Sequence, residues 1–418
     1  MGLIAGSYPA LVLARFRPID VLKGTLRFGG RRQLVQRGLV VLQLALSVLL
    51  IITTLGMQRQ LQFLQNTNLG FDKEQALIIR TNLEGDAGEI AGERIRTMLA
   101  EDPQVLGVAS SAFAIGDGWG RAGYTDDQGI YRVFWINVIT PEYLTTMGID
   151  MVEGRDYDRA ATDDVNRGIL VNEALVAEYG WDSPIGQRLP GPNFEDHQVI
   201  GVVPDFHYST LRDAVQPLVL MTNPSPIFRG VENYDGASSF APEIAVRVQT
   251  TDLRTMVDRL EQVWTEVAPG QTFDYAFLDE AVDQQYRAEQ RLGTIVSFGT
   301  LLSILVACLG LFGLATLVTA RRTKEIGVRK TMGASAPAIT LMIAREFAVL
   351  VGVAVLVASP IAWYALRAWL QGFAYQAGVS PWLFIGAAVL ALTVTLLAVS
   401  SQALRAARLD PVKALRYE

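Results

Sequence analysis

The sequence predicts a multi-pass α-helical membrane protein with four transmembrane helices and a large extracytoplasmic α+β domain inserted between helices 1 and 2. Three observations carry this reading. The 418 residues are 50% hydrophobic and only 19% charged, below the roughly 25% charge of soluble proteins. Four stretches hold no charge: 21 residues between Arg37 and Arg59, 29 between Arg291 and Arg321, 20 between Glu346 and Arg367, and 37 between Arg367 and Arg405. A helix needs about 20 mostly apolar residues to cross a bilayer's hydrocarbon, and each stretch supplies them. Finally, the net charge of −6 is divided. Residues 57–291 hold 37 of the 42 acidic residues and 18 of the 36 basic ones, a net of −19, which leaves +13 elsewhere. This balance argues against a nucleic-acid-binding or disordered chain.

Taken in order, the chain opens with MGLIAGSYPALVLA (1–14), apolar but too short to span and without a basic segment before it. It reads as the last turns of a membrane helix rather than a signal peptide. Residues 10–24 echo residues 405–418: with Pro18 set on Pro411, Ala14 falls on Ala407, Arg15 on Arg408, Leu22 on Leu415 and Lys23 on Arg416. The echo predicts that the chain begins at the end of one repeated unit and contains a complete second one. Residues 1–36 are thus a preceding tail and cytoplasmic segment. The spans are 37–57, 292–319, 347–367 and 382–402. Arg31, Arg32 and Arg37 precede the first span; Arg321, Arg322, Lys324, Arg329 and Lys330 follow the second; Arg405, Arg408, Lys413 and Arg416 follow the fourth. Positive charge beside short membrane-adjacent segments marks the cytoplasmic side. This orientation puts both termini, segment 320–346 and tail 403–418 inside, with residues 58–291 and the uncharged loop 368–381 outside.

Within the external segment, 57–75 is expected to continue the first helix as a stalk exposing Gln58, Gln60, Gln62 and Gln65. QALIIR (75–80) reads as a strand, and 88–99 as an amphipathic helix turning Ile90, Ile95 and Leu99 inward. A short helix is expected at 141–148, and a strand entering a helix at 168–180. A strand broken at Gly201 is expected at 197–206, and a half-buried alternating strand at 243–250. Asp252 is placed as the cap of a helix burying Met256, Leu260, Val263 and Trp264. FDYAFLD (273–279) is a further strand, 280–291 a second stalk, and 222–242 a turn-rich exposed loop.

Chemistry is sparse. No GxxxxGK[ST] loop, nucleophile elbow or acid/base pair occurs, so the residues predict a chain that is not an enzyme. Asp158, Asp163 and Asp164 lack calcium-loop spacing and read as a solvated turn. His197 and His207 have no zinc-type partners. The lone Cys308 falls inside the second span and reads as a packing residue. Ser297, Thr300 and Ser303 share a helix face suited to helix–helix packing, and no polar stripe marks a pore. Segment 320–335 carries five positive charges and one negative. As a helix it pairs Glu325 with Arg329 and leaves Ile326 and Val328 for packing. Arg345 and Glu346, at the entry to the third span, are candidates for transmitting motion or for anchoring at the interface.

Three ordered motifs carry a resemblance: RRTKEIGVRKTMGAS (321–335) between the second and third spans, RLDPVKALRYE (408–418), and the external TPEYLTTMGIDMVEGRDY (140–157) with VIGVVPDFHYSTLRD (199–213). The chain resembles the FtsX-like permease family of ATP-binding-cassette systems, of the macrolide-exporter or lipoprotein-release type, over residues 37–418. Longer relatives carry two such units, and this sequence departs from them in lacking the first. The resemblance implies a permease subunit in the bacterial inner membrane that couples a separate cytoplasmic ATPase to movement of a periplasmic core domain, for export or extraction of a substrate. It places the docking surface for that ATPase at Arg321, Arg322, Lys324, Glu325, Gly327, Arg329, Lys330 and Gly333. It implies no cofactor in this chain, with ATP and magnesium held by the ATPase. The implied partners are that ATPase, a second permease unit or homodimer partner, and a periplasmic adaptor or outer-membrane factor, with no nucleic acid. The alternative within the same resemblance is a non-transporting regulatory subunit controlling an extracytoplasmic partner such as a cell-wall hydrolase.

Overall fold

The computed structural model describes residues 30–116, 118–236 and 241–407, without the side chains of 30–34, 324, 401 and 403–407. The expectations for residues 1–29, for the tail 408–418 and for part of the 222–242 loop lie outside the described residues. The backbone of the described chain separates into a membrane unit, which holds residues up to Met57, Thr294–Arg367 and the chain from Val379, and a second unit of Gln58–Gly293 with Ala368–Gly378.

Helix α1 runs from Gly30 to Asn66. At 1.5 Å per residue it is about 55 Å long, well beyond the roughly 30 Å of a bilayer's hydrocarbon. It therefore leaves the apolar stretch without a break and becomes a stalk. The stalk is not uniformly exposed, because Gln60 is completely buried.

The second unit has two lobes. Strand β1 (Ala76–Arg80) leads into α2 (Asp86–Leu99) and β2 (Val105–Ser111). A long insertion follows: β3 (Gly120–Thr125), β4 (Tyr131–Val138), α3 (Tyr143–Met147), β5 (Glu153–Gly154), α4 (Thr162–Arg167), β6 (Gly168–Asn172), α5 (Glu173–Tyr179), β7 (Gln198–Val203), β8 (Leu218–Met221), α6 (Ser225–Phe228) and β9 (Asn233–Asp235). The chain then returns through β10 (Glu243–Val248), α7 (Leu253–Val267), β11 (Asp274–Phe277) and α8 (Leu278–Gln285).

The first lobe is a four-stranded antiparallel sheet in the order β11-β1-β10-β2. Helices α2 and α7 cover one face, where Leu77, Ile79, Ile95, Leu99, Val246, Leu260 and Trp264 form a core. The opposite face, through Ala76, Ile78, Ala109 and Ala245, joins a second core. With both faces covered, β10 is buried beyond its first residue instead of alternating as expected. Of its two charges, Glu243 is half-buried at the strand's start, and the buried Arg247 donates to the carbonyls of Thr146 and Asp72 at 3.0 and 3.1 Å. Asp252 caps α7 by accepting from the Thr255 N–H at 3.2 Å, as expected. On α2 the expected inward Ile90 is 52% exposed, while Ile95 and Leu99 are buried. The face that meets the sheet carries Gly88 and Gly92; a Cβ on Gly92 would lie 2.4 Å from the Ser110 hydroxyl. Close approach of backbone, rather than apolar bulk, sets the rotation of this helix.

The insertion forms a seven-stranded mixed sheet, order β5-β7-β6-β8-β4-β3-β9, with β6–β7 and β4–β8 parallel. Strand β7 runs straight through Gly201, where a Cβ would meet the Arg155 carbonyl at 2.5 Å. That glycine admits a crossing segment and does not end the strand. Likewise Asp164 is buried and gripped by both terminal nitrogens of Arg155, so it is not part of a solvated turn. His197 is buried too: Nδ1 is bonded to the Glu195 carbonyl at 2.7 Å and Nε2 accepts from the Leu189 N–H at 2.9 Å. The expected loop at 222–242 contains α6 and β9, with Pro226 and Ile227 buried.

The remaining helices are α9 (Arg287–Arg321), α10 (Thr323–Thr331), α11 (Ala336–Leu370) and α12 (Pro381–Ala407). Four helices, α1, α9, α11 and α12, are long and apolar enough to cross a membrane. The second stalk is interrupted: α8 ends before Tyr286, whose buried hydroxyl accepts from the Leu211 N–H at 3.1 Å. In the membrane unit, Ser47 and Ser303 hydroxyls meet at 2.8 Å and Thr54 and Thr300 at 2.7 Å, which seats α1 on α9 along the expected hydroxyl face. A Cβ on Gly310 would meet the Gln43 Oε1 at 2.7 Å. Small residues Ala354, Ala358, Ala362 and Ala387 fill the shared core.

A cleft of about 510 Å³ lies where α2 and β2 face residues 138–141. Arg159 crosses its margin, donating to Glu142 at 2.7 Å and pairing with Glu93 at 3.3 Å. Hydrogen bonding from Arg96, joined by Arg159, holds the Glu93 carboxyl below the ordinary 4.5 against the opposing effect of burial. Burial, the largest single effect, raises the Glu142 carboxyl, but the hydrogen bonds from Arg159, a backbone hydrogen bond and the charges of Arg159 and Arg96 together outweigh it and the net shift is downward. Two depressed acids stabilise the fold above their unfolded values and lose that contribution as pH falls through the folded ones. Asp156, raised chiefly by burial, acts in the opposite sense. The unfolding midpoint of the full chain should therefore drop below about pH 4.5, and it should drop less steeply in Arg159→Gln, as read by denaturant titration across pH.

Candidate coupling site

The residues expected to form a docking surface come together on and around α10. Arg322 stands between α9 and α10, and Glu325 pairs with Arg329 at 2.8 Å along one face. Ile326 is only 3% exposed and belongs to the same core as Ile339, Ile343 and Phe347 of α11, so a buried apolar side chain helps tie the short helix to the membrane unit. Gly327 is buried beside it. Gly333 ends the helix with φ +91, a left-handed conformation that favours glycine. Its N–H bonds the Lys330 carbonyl, and the Ala334 N–H reaches back to Arg329. This is the helix stop in which a glycine just past the end satisfies the last carbonyls.

Arg321, Glu325 and Arg329 are exposed, and Arg322 is half-buried. Nothing is described of the Lys324 side chain. Between the charges, Val328 is 46% and Met332 83% exposed, an apolar pair one helical turn apart. Reading the segment by charge passed over Met332, although its i,i+4 spacing from Val328 was visible. The surface therefore offers cations around an uncovered apolar spot.

The second feature is an acid shared between arginines. Glu346, on α11, pairs with Arg37 of α1 and with Arg322 at 3.2 Å. Sequence reasoning singled out Glu346 but not Arg37, which it used only as a topological charge; 309 residues separate the two. Arg345, its neighbour, is exposed. Glu346 thus joins α1, the α9–α10 junction and α11 at one point. Among the described residues, no group of three or more His, Cys, Asp and Glu side chains is placed to hold a metal ion.

Four membrane helices, a two-lobed α+β domain between the first two, and a cationic helix joined to the bundle define a membrane permease architecture. A family model described as FtsX-like permease C-terminal matches residues 297–411, and one described as MacB-like periplasmic core domain matches residues 38–263. The second covers more than half of the chain, which belongs to the MacB/FtsX family of ABC transporter permease-type proteins. A relative is the uncharacterized ABC transporter permease YvrN of Bacillus subtilis (strain 168), 20% identical over 338 residues, 79% of this chain and 80% of that one. Among solved structures, the chain is similar to the periplasmic region of MacB from Actinobacillus actinomycetemcomitans, at 14% identity and a TM-score of 0.35, covering 53% of this chain and 97% of that one. It is also similar to the extracellular domain of the ABC-type transporter YknZ from Gram-positive bacteria, at 15% identity and a TM-score of 0.32, covering 48% and 97%.

Removing the shared charge should loosen the membrane unit. Glu346→Gln leaves two arginines without their acid, and because all three groups are partly wet the cost is about 1–2 kcal/mol. Thermal or detergent-induced unfolding of the full chain should show a lower midpoint. A smaller loss in Arg37→Gln, with no loss in the double variant beyond that of Glu346→Gln, confirms that Arg37 acts through this acid.

Proposed function

We propose that the chain is the permease subunit of an ABC-type mechanotransmission complex in a bacterial inner membrane. Both termini and α10 face the cytoplasm, and residues 58–291 face the periplasm. A separate ATPase, holding ATP and magnesium, docks on α10. Its closure moves α10, and the movement passes through Ile326 and Glu346 to the membrane helices and on along α1 and α9 to the two-lobed domain, which exports or extracts a substrate.

The observation that carries this reading is the construction of α10. A nine-residue helix (Thr323–Thr331) buries Ile326 in the core of the membrane unit, while Val328 on its other side and Met332 just past its end are exposed and Arg321 is exposed at the end of α9. A helix serving topology alone needs its positive charges near lipid headgroups but has no use for an exposed Met at 83%. The hydroxyl pairs between α1 and α9 fit the same reading, because they commit the polar groups of these helices to packing rather than to a lined path.

Charge reversal at Arg329 and Lys330 tests it. Arg329→Glu with Lys330→Glu should reduce co-purification of the partner ATPase and its complex-dependent turnover by at least about tenfold, while membrane insertion and yield are retained. Unchanged association and turnover would sink α10 as the docking helix.

A further inference from the structure

The segment joining α11 to α12 carries no charge and looks from the sequence like a plain external link. Its residues instead belong to the two-lobed unit. Gln60, fully buried on α1, donates through Nε2 to the Tyr375 carbonyl at 2.8 Å and accepts through Oε1 from the Ala377 N–H at 2.8 Å. On the other side, the Ala374 N–H donates to the Arg212 carbonyl at 2.7 Å. The Arg212 guanidinium lies over the Phe373 ring at 5.3 Å and pairs with Glu289 of α9 at 3.2 Å. Phe373 is 3% exposed and packs in the same core as Leu211 and Tyr286. The His207 ring meets Tyr375 edge-on at 4.6 Å.

A link that only reverses the chain needs none of this, since surface loops satisfy their backbone with water. Here one buried amide uses both its donor and its acceptor on two backbone groups of the loop. A buried glutamine side chain spent this way is costly unless both bonds are kept. The loop is also short: Leu370 ends α11 and Pro381 begins α12, so ten residues hold the helices on a fixed tether. An anchored, short link cannot absorb movement of the helices it joins.

We propose that residues 371–378 form a clasp through which displacement of α11 and α12 is delivered to the two-lobed domain, in parallel with the stalks α1 and α8–α9. Gln60 is its positioning residue, holding the loop at two points, and Arg212 ties the same loop to Glu289. The clasp's part in energy coupling rests on the function proposed above; its existence as a mechanical link does not.

The test uses the full chain in lipid nanodiscs without any ATPase. Changing the acyl chains from about 14 to about 20 carbons alters bilayer thickness and so the tilt of membrane helices. Hydrogen exchange is read by mass spectrometry. In the wild-type chain, the change of lipid should alter exchange in 207–213 by about threefold or more. In the Gln60→Ala, Arg212→Ala double variant, segment 373–378 should exchange about tenfold faster in both lipids, and 207–213 should no longer respond to thickness. If the double variant fails to fold, Gln60→Glu serves; it keeps the acceptor for Ala377, removes the donor for Tyr375, and should weaken the response in the same direction. An equal response of 207–213 in wild type and variant, or none in wild type, overturns the clasp. Either result leaves the ATPase-docking reading untouched, and loss of that reading leaves this measurement unchanged.

Discussion

Two hydroxyl pairs, Ser47 with Ser303 and Thr54 with Thr300, fix the first membrane helix against the second, and the packing of the membrane unit builds on that seam. Lipid tails are as apolar as leucine, so nothing hydrophobic drives one membrane helix onto another; close packing and interhelical hydrogen bonds must do it. Gly310 removes the side chain that would keep α9 from Gln43 of α1. Because α1 and α9 are the two helices that lead into the inserted domain, the seam joins the two chain segments that carry it. Glu346 extends the principle at the other end of the helices, where a single carboxylate gathers arginines from α1 and from the α9–α10 junction.

The domain itself is built as two lobes, one inserted into the other. The four-stranded lobe is formed by chain segments on either side of the insertion, so the seven-stranded lobe leaves and re-enters it through β2 and β10. Each lobe has its own core, the first around Trp264 and the second around Phe134 and Val171. A third cluster, with Phe206, Leu218 and Leu278, contains residues of both. At the cleft the contact is ionic instead, through Arg159. The two lobes therefore meet through a packed core on one side and through charge pairs on the other.

Much of this was legible beforehand. The four spans, the strands around residues 76–80, 168–172 and 274–277, and the Asp252 cap follow from charge gaps and periodicity. The family likeness adds the docking segment. Where the reading missed, the cause was local and physical. Ile90 was assigned inward by hydrophobicity, but Gly88 and Gly92 decide which face of α2 can approach the sheet. Residue type puts Asp164 in a solvated turn and gives His197 only an ordinary surface or hydrogen-bonding role; Arg155 and two backbone groups supply the partners that make the burial of both tolerable. Gln60 was counted among four similar glutamines; only its spacing of four from buried Leu64 distinguished it.

The sequence by itself determined the membrane helices, their connection to one large acidic domain, and the cationic segment after the second span, because these depend on transfer free energies summed over 20 or so neighbouring residues. Tertiary structure alone decided which polar residues work together. Glu346 with Arg37, Gln60 with the 371–378 loop, and Arg159 with Glu93 and Glu142 each join groups far apart in the chain. A pairing of that kind leaves no periodic trace, since it rests on the position of one side chain relative to another and not on the composition of the segment that holds either.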